Sequence, residues 1–370
     1  MTTPMVQLLS TDGVLQSDDT AAEYLPYIEA LPDETLGQFY RDMAIIRRFD
    51  REATNLQRNG QLALWPPSQG QEAAQVGSAH AARPQDHLFP SYREHAVAFV
   101  RGVDLLDVVR VMRGVTNGGW NPADHNNFHL YTLVLGSQAL HATGYAMGIA
   151  LDGACATGHS EADEAVMVYF GDGSTSQGDV SEAFVFAASF TAPTVFFLQN
   201  NQWAISVPVA VQSKIPLYLR SSGFGIPGIQ IDGNDVLASY AVTRKNLDEA
   251  RSGKGPRLIE ALTYRMGAHT TSDDPTKYRL DAELATWAAR DPIDRYEKFL
   301  RSRGEGDAFF SDVSTEAEDF SADLRRRTLE LGSPSTDLIF DTVYSEPHPV
   351  MDAQKQWLVD YENSLDGANS

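Results

Sequence analysis

Apolar residues recur at helical spacing through Leu36, Phe39, Tyr40, Met43, Ile46 and Phe49, which predicts a helix from Asp33 to about Arg58 with one buried face. The Gly/Pro/Gln stretch from Leu64 to Glu72 (Leu-Trp-Pro-Pro-Ser-Gln-Gly-Gln-Glu) breaks that pattern, and a second helix starts near Glu72 with Ala73, Val76 and Ala79 inward. Further on the period changes. Val166 to Phe170, Thr194 to Leu198 and Leu258 to Tyr264 are short β-branched or aromatic runs that predict strands, with a helical pattern from Val180 to Phe190 between the first two. Strand, helix, strand in this order is the crossover unit of a parallel sheet covered on both faces. The fold class expected is therefore α/β, a doubly wound, mostly parallel sheet with helices on both faces.

Beyond Asp291 the segments 294–303 and 316–331 are helical and charged, and Pro347 and Pro349 interrupt the end of the chain. The first thirty or so residues are polar, acidic and without periodicity, which predicts a loose arm. With no Pro/Gly/Ser linker between two halves, the simplest parse is an arm over 1–32, one domain over 33–335 and an extension over 336–370.

Composition narrows the function classes. A chain of 370 residues is long enough to bury a substantial core, and 42 % apolar with 21 % charged residues is ordinary for a globular protein. A formal charge of −21 argues against nucleic acid as a partner, because phosphate backbones are held mainly by Lys and Arg. Cys155 is the only cysteine, which excludes an intrachain disulfide and a multi-cysteine metal site. Residues 1–12 lack the basic start and apolar stretch of a secretory signal, and no apolar run reaches membrane-spanning length. A cytoplasmic protein without membrane contact is expected.

The chemistry concentrates after the predicted strands. Gly171-Asp172-Gly173-Ser174-Thr175-Ser176-Gln177-Gly178-Asp179 follows the Val166–Phe170 run directly, where ligands of parallel sheets lie, and its glycines allow a diphosphate to approach the backbone. It lacks the Lys-Ser/Thr ending of a P-loop, and its glycines do not have the dinucleotide spacing. The next strand ends in Gln199-Asn200-Asn201-Gln202-Trp203. An Asp and an Asn at the ends of two strands joined by one crossover helix, with a main-chain carbonyl nearby, are hard oxygen ligands suited to Mg²⁺.

Gly171-Asp172-Gly173 followed by Asn200-Asn201 resembles the thiamine-diphosphate motif of transketolase-like and 2-oxo acid dehydrogenase enzymes. The longer stretches Tyr169 to Asp179 and Asn200 to Ser206 are similar to the α subunit of the E1 component in particular. Later blocks agree: Ile231-Asp232-Gly233-Asn234-Asp235, Thr263-Tyr264-Arg265, and the loop Gly267-Ala268-His269-Thr270-Thr271-Ser272-Asp273-Asp274. The resemblance covers roughly Leu36 to Leu300 and implies two cofactors, thiamine diphosphate and Mg²⁺. It assigns Asp172, Asn201 and the carbonyl of Trp203 to the metal, and Gly171, Gly173, Ser174, Tyr92, Arg93 and Arg265 to the cofactor, with Arg93 on the diphosphate. Leu135 matches the apolar residue that holds the cofactor bent. His269 matches the active-site histidine, His129 is a candidate second one, and His125 is expected on the surface. Leu64 and Trp65 are expected to line the acyl pocket.

Two departures stand out. Gln199 replaces an Arg that some branched-chain members carry, and Thr270 stands where animal branched-chain enzymes have a regulatory serine. The activity implied is decarboxylation of a 2-oxo acid and reductive acylation of a lipoyl group on an E2 acyltransferase. The family's β subunit supplies the catalytic glutamate, so an α₂β₂ heterotetramer is expected. Branched-chain 2-oxo acids are the preferred substrates, with pyruvate or acetoin as alternatives. A non-catalytic cofactor-binding or scaffolding homologue is the alternative of another class.

Overall fold

A computed structural model describes residues 5–116 and 118–367; residues 1–4 of the expected arm and 368–370 of the expected extension lie outside the described residues. In chain order the main elements are α1 (Asp33–Arg58), α2 (Glu72–Ala81), β1 (His87–Phe89), α3 (Ser137–Leu151), β2 (Val166–Gly171), α4 (Gly178–Ser189) and β3 (Thr194–Asn200). There follow β4 (Gly228–Asp232), α5 (Val236–Glu249), β5 (Arg257–Leu262), α6 (Pro292–Ser302), α7 (Asp307–Leu329) and α8 (Pro349–Gly367). The five strands form one parallel sheet in the order β1-β2-β3-β5-β4.

Alternation along the strands explains why both faces are covered. On β2 and β3, Met167, Tyr169, Val195 and Phe197 point into a core built with α1, α2 and α5. Their neighbours Val166, Val168, Phe170, Phe196 and Leu198 point the other way, against α3 and α4. A strand buried on both sides needs no polar positions, hence the unbroken apolar runs in the sequence. The predicted strand 258–264 stops at Leu262, since its neighbour β3 ends at Asn200 and the ladder has no partner left to extend along. Tyr264 and Arg265 therefore belong to the loop over the carboxyl ends of the strands.

The N-terminal residues correct the expectation of a loose arm. Val6 exchanges two main-chain hydrogen bonds, both 2.9 Å, with Gln230 and Asp232 and so covers the open edge of β4. Asp235 Oδ2 accepts the N–H groups of Leu8 and Leu9, both at 2.6 Å, while its Oδ1 caps α5 through Leu237 and Ala238. Leu8 and Leu9 are fully buried. The tether is a main-chain one to a strand edge, which side-chain periodicity in the arm does not encode. At the other end α8 starts on Pro349, in the first-turn position where a missing N–H costs nothing. Among the described residues no helix is long and apolar enough to cross a membrane.

Candidate active site

The carboxyl ends of β2, β3 and β5 lie side by side and open into a cavity of about 200 Å³. Its lining includes Tyr92, Arg93, Leu135, Gly171, Asp172, Gly173, Ser174, Asn201, Trp203, Arg265 and His269. Each loop arrives there for a local reason. Gly173 passes so close to the short hairpin Trp203–Ala204/Val207–Pro208 that a Cβ would sit 2.8 Å from Ala204 Cβ, which only glycine avoids. Gln202 and Ile205 adopt left-handed backbone angles, turning the Trp203 carbonyl towards the end of β2.

Three oxygens converge at one point of this cavity. With its side-chain oxygen inward, Asn201 faces Asp172 Oδ1 at 3.3 Å and the Trp203 carbonyl at 3.2 Å, three acceptors with no proton among them. Turning the amide over lets its nitrogen donate to both, and a small cation would satisfy the same three oxygens without that turn. Asp172 is 1 % exposed, and burial pushes its carboxyl up to about 6 despite a 2.8 Å hydrogen bond from Gln212 Nε2. A buried carboxylate raised in this way gains from a cation beside it. The set fits Mg²⁺: one carboxylate, one amide oxygen and one carbonyl, with room left for phosphate oxygens or water. Among the described residues no group of three His, Cys, Asp or Glu side chains forms a metal site.

Two guanidinium groups stand opposite. Arg93 is 6 % and Arg265 1 % exposed. Arg265 donates to the carbonyls of Trp203 (2.9 Å) and Ile205 (3.0 Å), while its Nε is buried without a partner. Arg93 donates to the carbonyls of Pro67 and His269. Both also approach His269 Nδ1, each at 3.3 Å. Burial, then the charges of Arg93 and Arg265, push the imidazole down to about 3, so it is neutral at physiological pH. A neutral ring with two N–H donors at Nδ1 uses that atom as acceptor, which leaves the proton on Nε2, 3.5 Å from the Tyr92 hydroxyl. Asp273 Oδ2 accepts the His269 main-chain N–H at 2.9 Å and the Tyr278 hydroxyl as well, which fixes the loop. The cavity thus joins an oxygen-lined cation cradle, two positive groups suited to phosphate and a neutral imidazole able to donate a proton.

Residues 40–308 match the dehydrogenase E1 component family. The chain is 43 % identical over 355 residues to the 3-methyl-2-oxobutanoate dehydrogenase subunit alpha of Mycobacterium tuberculosis, covering 95 % of this chain and 93 % of that protein. The chain belongs to the dehydrogenase E1 component family. It is likewise 42 % identical to the pyruvate dehydrogenase E1 component subunit alpha of Acholeplasma laidlawii, over 74 % of this chain and 77 % of that one. The corresponding Staphylococcus aureus subunit is 36 % identical over 81 % of this chain and 77 % of its own. These comparisons make the chain an α subunit of a 2-oxo acid dehydrogenase E1.

Within this E1 subunit three expected site residues stay out of the cavity. His129 stacks on Phe89 (ring centroids 3.8 Å apart) and places Nε2 3.2 Å from His87 Nδ1, on the α3 side of the sheet. Trp65 is fully buried, donates Nε1–H to Asp50 at 2.7 Å and stacks on His95 at 4.3 Å, so it is core rather than pocket wall. A buried indole needs a partner for its N–H, and the Asp50 carboxylate draws it inward. Leu64 is 37 % exposed and is not part of the cavity lining. His125 lies on the turn Pro122–His125, with Nδ1 2.9 Å from the Gly102 carbonyl.

Gln71, Ser91, Glu94, Ala204 and Ile205 also line the cavity, although none of them is assigned a site role from sequence. Gln71 Nε2 is buried without a partner, a donor left free in the cavity.

His95, packed under Trp65, makes a testable contribution to acid sensitivity. It is fully buried, accepts the Tyr131 hydroxyl at Nδ1 (2.8 Å) and donates Nε2–H to the Pro66 carbonyl (3.0 Å); burial pushes it down to about 3. An unfolded histidine takes up its proton near about 6.5, so the unfolded chain holds more protons below that pH and stability is lost as pH falls from about 6.5 to 3. His95→Gln keeps one donor and one acceptor but does not titrate. Urea unfolding across about pH 6 to 4 is expected to show the stability slope flattened by about 1.4 kcal/mol per pH unit; an unchanged slope would contradict the buried neutral histidine.

Proposed function

We propose that this subunit, with a β partner in an α₂β₂ heterotetramer, decarboxylates a branched-chain 2-oxo acid and transfers the acyl group to a lipoyl group of E2, in the cytoplasm. The lipoyl disulfide is the oxidant: one sulfur takes the acyl group, the other leaves as thiol, and CO₂ is released. The observation that carries the reading is the meeting of the Asp172, Asn201 and Trp203 oxygens with Arg93, Arg265 and His269 in one cavity.

Thiamine diphosphate, when bound, supplies the electron sink for loss of CO₂. Asp172, Asn201 and the Trp203 carbonyl would hold Mg²⁺, Gly171, Gly173 and Ser174 would give backbone access, and Arg93 would offer its planar fork to diphosphate oxygens. His269, neutral and protonated on Nε2, donates a hydrogen bond at that atom during acyl hand-over. Leu135 and Ile205 add apolar surface to the lining, and Leu135 would hold the cofactor bent.

The extent of the family match supports residues 33–335 as the cofactor-binding domain. Exposed apolar residues on α3, on α4 and just past its end, among them Tyr145, Leu151, Val185, Phe186 and Phe190, support a protein partner, since a lone soluble chain rarely leaves such a patch uncovered. Support for a branched-chain substrate comes from the relative named for 3-methyl-2-oxobutanoate, aligned over nearly its whole length. The test is turnover by the chain co-purified with its β partner, comparing 3-methyl-2-oxobutanoate with pyruvate. A kcat/KM at least about tenfold higher for the branched substrate is expected. Preference for pyruvate would contradict the substrate reading and leave the cofactor reading standing.

A further inference from the structure

Glu94 and Gln199 line the cavity, yet the reading above gives them no task. Glu94 is 2 % exposed and accepts the Ser91 hydroxyl at 2.8 Å and Gln199 Nε2 at 2.6 Å. Burial holds the Glu94 carboxyl above its ordinary value, and the hydrogen bonds from Ser91 and Gln199 oppose that by favouring the ionised form. In that form the carboxylate only accepts, so Gln199 turns its NH₂ to it. Its carbonyl oxygen therefore faces the other way and accepts Gln75 Nε2 at 3.1 Å. Gln75, oriented in turn, donates to the Arg93 carbonyl at 3.0 Å and accepts the Ala96 main-chain N–H at 3.1 Å. Gln75 is fully buried and Gln199 nearly so, and a reversed amide would set acceptor against acceptor and donor against donor.

We propose that Glu94 is a positioning residue: its carboxylate sets the direction of the amide chain Gln199–Gln75 and so fixes the Arg93 turn against the β3 end that carries Asn201. The arginine grip and the metal-ligand loop are then placed as one unit for a diphosphate ligand. The inference rests on the thiamine-diphosphate reading above. It gives Gln199 a role as the link of the chain, its amide donating to Glu94 and accepting from Gln75.

The test uses Glu94→Gln, Gln199→Glu and the double variant that exchanges acid and amide. In the exchange the carboxylate moved to position 199 accepts from Gln75 and from the amide now at position 94. The oxygen of that amide accepts the Ser91 hydroxyl, so every hydrogen bond has a partner again. Thiamine diphosphate affinity with Mg²⁺ is read by quenching of tryptophan fluorescence in the assembled α₂β₂ protein, beside thermal melting and kcat at saturating cofactor. Each single variant is expected to bind cofactor about tenfold more weakly with kcat within about twofold, and the exchange to recover to within about threefold of wild type. Single variants that bind as wild type does, or an exchange no better than either single change, would overturn the inference. Wild-type protein that takes up no thiamine diphosphate would overturn the cofactor reading and this inference with it.

Discussion

Asp172→Ala is expected to weaken Mg²⁺-dependent thiamine diphosphate binding by more than about 100-fold, because removal of an outer-shell partner alone commonly costs 10–100-fold and this is the only charged ligand of the cradle. Asn201 and the Trp203 carbonyl would remain, two neutral oxygens against a strongly hydrated divalent ion. Stability should move the other way. Asp172 is buried with its carboxyl pushed up to about 6, so in the absence of metal its ionised form costs free energy that alanine does not. The variant is therefore expected to melt at the same temperature as metal-free wild type or above it. Fluorescence titration and thermal melting check the pair of effects. A variant that binds cofactor normally would remove Asp172 from the metal site, and one that melts well below wild type would show the loss to be a folding defect.

The largest stability effect is expected at Asp86→Ala, far from the cavity. Asp86 is fully buried and accepts the Ala165 N–H at 3.1 Å, the Arg83 N–H at 2.6 Å and Arg251 Nε at 2.9 Å. It thereby staples the start of β1 to the start of β2 and to the turn that follows α5. Arg251 is 2 % exposed, and its remaining acidic partner is Asp248 at 2.6 Å. Taking away the carboxylate leaves a buried guanidinium short of its counter-charge and two main-chain donors unpaired, at a cost of about 3–5 kcal/mol. Against a typical total of about 5–15 kcal/mol that is a large fraction, visible as a marked fall in the urea midpoint. Arg251→Met added to Asp86→Ala should recover part of the loss, since it removes the unpaired buried charge and leaves only the Ala165 and Arg83 main-chain donors without a partner. A double variant no more stable than Asp86→Ala would contradict the argument from the buried charge.

Much of this molecule is legible in its sequence, for reasons that differ from part to part. Helix α1 runs Asp33–Arg58 as its apolar spacing predicts, because one helix face meets the core for its whole length. The strands β2 and β3 are legible because burial on both faces leaves continuous apolar runs. Asp172 and Asn201 are legible as a pair because the β2–α4–β3 crossover brings their strand ends together. The arm is illegible, since Val6 is held through its main chain and Leu8 and Leu9 by an Asp more than two hundred residues away. Trp65 misleads because an aromatic beside Pro66-Pro67 reads equally well as pocket wall or core, and only Asp50, across the fold, decides. His129 misleads similarly; its partners Phe89 and His87 come from a strand edge that carries no periodic signal of its own. The orientation of the Gln75–Gln199–Glu94 chain is set by contacts among residues far apart in sequence and belongs to tertiary structure alone.

Whether the three oxygens from two neighbouring loops form the cation cradle of a diphosphate cofactor is read most directly from a crystal structure of the assembled α₂β₂ protein with Mn²⁺ and thiamine diphosphate, recorded at a wavelength where manganese scatters anomalously. One strong peak is expected, bonded at about 2.1 Å to Asp172, to Asn201 Oδ1 and to the Trp203 carbonyl, with diphosphate oxygens completing the shell. Cofactor bound with manganese elsewhere, or with Asn201 turned so that its nitrogen faces Asp172, would contradict the cradle.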